Sequence, residues 1–162
     1  RVIAYDVIQN PSFSKAGGSF VTLDDLAKRA DVISVHCALT AETKYLIDGE
    51  FISKCKPGVV LINTSRGAVL DTQAAIIALQ SGQLGGLGLD VYENESGLFF
   101  KDHSTEQIYD PYLKQLQSMP NVIMTGHQGF LTKQAFETIC QTTLASAAAF
   151  ENGQPLVNQI SI

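Results

Sequence analysis

The run Val59-Val60-Leu61-Ile62-Asn63-Thr64 sets the strongest limit on what this chain can fold into. It is apolar and largely β-branched, it closes in polar residues, and Arg66 follows just beyond it. A continuous apolar run of this kind reads as a strand buried on both faces, which is the pattern of a parallel sheet. Two later runs have the same form. Gly86-Leu87-Gly88-Leu89-Asp90 leads at once to Glu93 and Glu95, and Asn121-Val122-Ile123-Met124-Thr125-Gly126 leads to His127. In open α/β sheets ligands bind beyond the carboxyl ends of the strands. Arg, Glu and His are therefore expected on one edge of one sheet. An arginine there can grip a carboxylate bidentately, and a histidine beside a carboxylate suits proton transfer.

The rest of the chain alternates strands with helices. The opening Arg1-Val2-Ile3-Ala4-Tyr5-Asp6 reads as a strand rather than a leader peptide. Gly17-Gly18 breaks a loop before a short strand at Phe20-Val21, and Thr22 caps a helix through Ala30. A strand at Val32-Ile33-Ser34-Val35 follows, then a helix capped by Asp48 and ended before Lys56-Pro57-Gly58. Asp71 caps the helix after Arg66, with Gly82 as its C-terminal stop. An irregular stretch is expected from Glu93 to about Asp110, with His103 in it expected to be solvated. A short helix over 111–117 precedes the strand before His127, and a long helix over 132–151 closes at Gly153. Strands alternating with helices imply an α/β fold with a doubly wound parallel sheet.

Composition narrows the function classes. Hydrophobic residues make up 45% and charged residues 17% of the 162, so the chain can bury a core. The net charge of −5, with no basic cluster, argues against nucleic acid as a partner. Apolar stretches fall far short of the roughly 20 residues that cross a bilayer, so no membrane partner is expected. Cys37, Cys55 and Cys140 are odd in number and lack metal-ligand spacing, which implies packed thiols, no metal and a reducing cytoplasm.

One element usual in a dinucleotide-binding sheet is missing from the sequence. There is no G-x-G-x-x-G between a strand and a helix; Gly85-Gly86-Leu87-Gly88 lies at the start of a strand instead. Tyr5-Asp6 has the form of a second strand's end, where an acid accepts hydrogen bonds from a ribose. The expectation is a Rossmann-type sheet incomplete at its N-terminus, without its first βα unit. The central strand belongs to that unit, so two half-sheets with open edges should remain.

These residues resemble the D-2-hydroxyacid dehydrogenase family, and within it the D-lactate dehydrogenases. Leu61-Ile62-Asn63-Thr64-Ser65-Arg66-Gly67 is similar to the family's arginine motif, and Gly88-Leu89-Asp90-Val91-Tyr92-Glu93-Asn94-Glu95 to its glutamate motif. Gly126-His127-Gln128-Gly129-Phe130-Leu131-Thr132 resembles the histidine motif of the lactate branch. The resemblance implies NAD as cofactor and a small 2-keto or 2-hydroxy acid as substrate. It makes Arg66, Glu95 and His127 the catalytic three, with Glu95 rather than Glu93 in the glutamate's role. It places Asp6 at the adenosine ribose, Cys37 and Ala38 on the adenine-side loop, and Thr64, Ser65 and Asp90 on the nicotinamide side. Phe130 would lie against the methyl of a pyruvate-sized substrate, with Arg66 on its carboxylate. Ala38 departs from the family, where many members have proline.

The resemblance further implies a partial dinucleotide-binding domain over 1–130, and a helix and tail over 131–162 that pack on a substrate domain. The apolar face of that helix, with Phe136, Ile139 and Leu144, is expected to lack a partner here. The full-length protein is expected to be a homo-oligomer that reduces pyruvate to D-lactate reversibly. Two other readings stand beside it: an NAD-sensing, corepressor-like binding protein of the same family, and a chain that is catalytically inert as given. A nucleophilic hydrolase is disfavoured because Thr64-Ser65-Arg66-Gly67 lacks the G-x-S-x-G elbow.

Overall fold

A computed structural model describes residues 1–99, 102–105 and 109–160. The part of the expected irregular stretch at 100–101 and 106–108 lies outside these residues. The chain forms two compact units, Arg1–His127 and Gln128–Ile162.

In the first unit the described strands form two parallel sheets. Strands β1 (Ile3–Ala4) and β2 (Ser19–Phe20) pair with each other. Strands β3 (Val32–Val35), β4 (Val59–Asn63), β5 (Leu84–Leu89) and β6 (Val122–Met124) form a four-stranded sheet in that order. All of its pairings are parallel, with Ile33 beside Leu61 and Leu61 beside Leu87. Two separate sheets agree with the expectation from the sequence. β5 begins two residues earlier than Gly86, because Leu84 pairs with Val59 across a register shift.

Capping residues set where the helices begin. Helix α1 (Pro11–Lys15) starts where the Asn10 side chain accepts from Ser12 N, with proline at the first turn. It was not expected from the sequence, although Asn10-Pro11 is a start signal. Helix α2 (Leu23–Arg29) is capped by Thr22, α3 (Gly49–Ser53) by Asp48 and α4 (Thr72–Ser81) by Asp71, all as expected. Gly82 ends α4 with φ +79°, a left-handed conformation that glycine adopts without a Cβ penalty. Helix α5 (Pro111–Ser118) is capped by Asp110.

The core lies on the four-stranded sheet. Ile33, Val35, Val59, Leu61, Leu84, Leu87 and Leu89 are buried on it. Ala27, Phe51, Ile52, Ala75, Ile76, Leu79, Leu113 and Leu116 of α2 to α5 are buried in the same cluster. Each fully buried leucine contributes about 1.5–3 kcal/mol, so this layer holds the strand ends in register.

The second unit is helix α6 (Lys133–Glu151), with Thr132 accepting from Ala135 N at its start, and a tail. Phe136, Ile139 and Leu144 on it are 56, 49 and 71% exposed. Among the described residues no helix is long and apolar enough to cross a membrane, and none of their His, Cys, Asp and Glu side chains cluster as a metal site.

Candidate active site

The site is assembled from three loops at the carboxyl ends of β4, β5 and β6. The first is the turn after β4. The alternation that buries Val59 and Leu61 also buries Asn63, a polar residue at 0% exposure. A buried amide needs partners, and it finds them in the turn. Asn63 Oδ1 accepts from Ser65 N at 3.1 Å, and Nδ2 donates to the Arg66 carbonyl at 3.0 Å. Asn63 thereby wraps Thr64-Ser65-Arg66 into a fixed loop that leaves Arg66 exposed. Arg66 Nη1 donates to the Ser65 carbonyl at 2.8 Å, and the Ser65 hydroxyl donates to the Cys37 carbonyl beyond β3.

The loop after β5 presses directly on this turn. A Cβ on Gly67 would fall 2.1 Å from the Tyr92 carbonyl carbon and 2.3 Å from Glu93 N. Only glycine permits that approach. Tyr92 is almost wholly buried, and its hydroxyl donates to Asp110, 2.9 Å from both carboxylate oxygens. Burial, reinforced by Asp110, pushes its phenol far above the ordinary tyrosine value, so it stays a donor. Tyr92 N donates to Glu95 Oε2 at 3.0 Å. Glu95 opens a 3-10 turn, Glu95–Gly97, inside the stretch expected to be irregular.

The third loop carries His127. Its backbone N donates to the Asp90 carbonyl at 2.7 Å, and its φ of +54° is left-handed. This conformation turns the imidazole to Glu95, with Nδ1 3.0 Å from Glu95 Oε1. Both side chains are largely shielded, at 30 and 21% exposure. Thr125 donates its hydroxyl to the Asp90 carboxylate, which is itself buried.

The structure therefore pairs Glu95 with His127, and joins that pair to the arginine turn through the Tyr92-Glu93 backbone packed on Gly67. Glu93 does not share the histidine's partner; its Oε2 accepts from the Tyr45 hydroxyl at 2.9 Å. Asp6 is exposed beyond β1, where its Oδ1 accepts from Ile8 N at 2.9 Å. Burial raises the Cys37 thiol above its ordinary value and the charge of Asp6 adds to this, which puts the two in one neighbourhood. The Ala38 carbonyl accepts from the Thr43 hydroxyl at 2.6 Å, and Thr64 is exposed beside Ser65. Phe130 belongs to the second unit, where it is 54% exposed. Sequence reasoning missed Asn63, Tyr45 and Tyr92. Of these, Asn63 left a signal: a polar residue at an inward-facing position of an apolar strand.

The donor and acceptor chemistry fits a nicotinamide dinucleotide at its two ends. The carboxylates of Asp6 and Asp90 are acceptors suited to ribose hydroxyls and to a carboxamide NH2.

Comparison with known proteins identifies the family. Residues 1–129 match the family model of the D-isomer specific 2-hydroxyacid dehydrogenase, NAD binding domain. A 2-hydroxyacid dehydrogenase homolog of Haemophilus influenzae is 45% identical over 98% of this chain and 48% of its own length. The D-lactate dehydrogenase of Escherichia coli is 42% identical over 99% of this chain and 49% of its own. A solved structure from the identification of the pyruvate reductase of Chlamydomonas reinhardtii superposes with a TM-score of 0.90 at 44% identity, covering 97% of this chain and 48% of that one. The chain spans about half the length of the curated relatives it matches. The chain belongs to the D-isomer specific 2-hydroxyacid dehydrogenase family, with residues 1–129 in the part that forms the NAD-binding domain.

Proposed function

We propose that the full-length protein reduces pyruvate to D-lactate reversibly, as an NAD-dependent dehydrogenase. The observation that carries the reading is the 3.0 Å contact between His127 Nδ1 and Glu95 Oε1, beside the turn that presents Arg66. NAD, when bound, supplies or takes up the hydride. The rest is the work of side chains. Glu95 accepts from Nδ1, which directs the transferable proton to Nε2. His127 gives that proton to the developing alkoxide in reduction and takes it back in oxidation. Arg66 grips the substrate carboxylate with the N–H groups not used on Ser65, and its charge stabilises the growing negative charge. Asp6 holds the adenosine ribose. Cys37 and Ala38 line the adenine side, while Thr64, Ser65 and Asp90 line the nicotinamide side. Phe130 contacts the methyl group and limits substrate size.

In this reading residues 1–130 belong to the dinucleotide-binding domain, and 131–162 to a helix and tail that pack on a substrate domain. The full-length protein would be a cytoplasmic homo-oligomer, a point its mass in solution would test.

The function is tested by NADH-dependent turnover of the full-length protein with pyruvate, 2-ketobutyrate and phenylpyruvate, with the enantiomer of the product identified. We expect pyruvate to be preferred and the product to be D-lactate. L-lactate, or no turnover with any of the three, would overturn the reading. In the second case, an oligomeric state that changes with NADH would favour an NAD-sensing protein instead.

A further inference from the structure

We propose that Tyr45 is a positioning residue, which acts through Glu93 to fix the arginine turn against the loop carrying Glu95. This rests on the reading of Arg66 as the carboxylate clamp. Two non-glycine residues among those described have left-handed backbones, His127 and Tyr45, each with φ +54°. For histidine that conformation is uncommon; for a bulky aromatic residue it is an outlier. Such outliers persist where the surroundings over-determine them, and they cluster at functional sites.

The surroundings of Tyr45 do over-determine it. Its backbone N donates to the Ala68 carbonyl at 2.8 Å, and two residues on Ile47 N donates to the Val69 carbonyl at 3.0 Å. Asp71 N donates back to the Ile47 carbonyl at 3.0 Å. The segment after β3 is thus laid alongside the 3-10 turn Gly67–Val69 that follows Arg66. From there the Tyr45 hydroxyl reaches over to Glu93 Oε2 at 2.9 Å. Gly67 lies between, with no space for a Cβ against the Tyr92-Glu93 peptide. Tyr45 consequently grips the arginine turn with its backbone and the glutamate loop with its side chain. The grip fixes how far the carboxylate clamp stands from the Glu95–His127 pair. It also commits Glu93 to a phenol, so that Glu95 is the acid at the imidazole.

A residue that only stabilises the fold lowers the active fraction, which lowers kcat and leaves KM unchanged. A residue that sets the place of Arg66 moves KM for the keto acid. The test compares Tyr45→Phe, Glu93→Ala, the double variant and Glu93→Gln in the full-length protein. We expect Tyr45→Phe to raise KM for pyruvate by at least about fivefold, the scale of one lost hydrogen bond, while KM for NADH holds within about twofold. Glu93→Ala should do the same, and the double variant should be no worse than either single one, since both remove one bond. Glu93→Gln keeps an acceptor for the phenol and should restore most of the wild-type KM.

An unchanged KM for pyruvate in Tyr45→Phe, or losses that multiply in the double variant, would overturn the inference while wild-type turnover left the proposed function standing. A wild type that reduces none of the keto acids would strike both.

Discussion

The two ends of the proposed dinucleotide site are built differently. At the end assigned to the nicotinamide, the loops after β4, β5 and β6 rest on a buried sheet. Asn63, Tyr92 and Asp90 lie beneath them, each with its polar atoms engaged. At the end assigned to the adenosine, Asp6 follows a two-residue strand, and none of the first twenty residues is buried. Val2, Val7 and Ile8 are 64, 85 and 79% exposed. Reaction chemistry tolerates little misplacement, so preorganisation is concentrated where atoms react. A ribose anchor contributes binding, and a carboxylate that accepts from the ribose hydroxyls can do that from a less rigid base.

The largest effect should come from the ordered end. His127→Ala should lower kcat for pyruvate reduction by at least about 100-fold, the low end for loss of a positioned acid, measured at saturating NADH in the full-length protein. A near-normal rate would remove the histidine from the chemistry and the reason for its ordered surroundings.

Two glycines sharpen the comparison sterically. A Cβ on Gly67 would meet the Tyr92-Glu93 backbone at 2.1 Å, whereas one on Gly18 would meet the ring of Phe13 at 2.3 Å. The distances are alike, but backbone held by Tyr92 and Asp110 cannot yield, and a side chain on a five-residue helix can. Gly67→Ala should destabilise by about 3 kcal/mol and Gly18→Ala by under about 1 kcal/mol, read from denaturant midpoints. Equal costs would mean that the two ends are equally rigid.

The smallest effect belongs to the loose end. Asp6 should favour NADH, because a carboxylate accepts from a 2′-hydroxyl and repels a 2′-phosphate. Asp6→Ala should cut the NADH-over-NADPH preference in kcat/KM by about tenfold and change kcat with NADH little. If kcat with NADH falls as far as in His127→Ala, the division between an anchoring end and a reacting end is wrong.

Legibility in the sequence follows the same division by range. Thr22, Asp48 and Asp71 could be read as caps because each bonds an N–H three residues on. The apolar runs disclosed the parallel strands, and with them the strand ends that bring His127 to Glu95. Helix α1 was overlooked because five residues give no apolar period to detect. The 3-10 turn at Glu95–Gly97 was hidden for the same reason. The bond from Tyr45 to Glu93 spans 48 positions, and no local pattern announces it. Asn63 was legible in principle, but as a sheet residue it drew less notice than the arginine it supports.

The parallel order of the sheet also governs when the site comes into being. Each neighbouring strand is reached by a crossover, so the joining contacts are far apart in sequence: 28 residues for Ser65 and Cys37, 32 for His127 and Glu95. Closing such loops costs entropy before any contact repays it, and topologies of this kind fold slowly. During synthesis the N-terminal parts emerge first. Arg66 and Glu95 therefore emerge before His127 does. His127, which the proposed function makes the proton donor, follows β6, a strand with one neighbour among the described strands. On the proposed reading, a chain in which β6 has not yet paired holds Arg66 without the histidine that would give the proton.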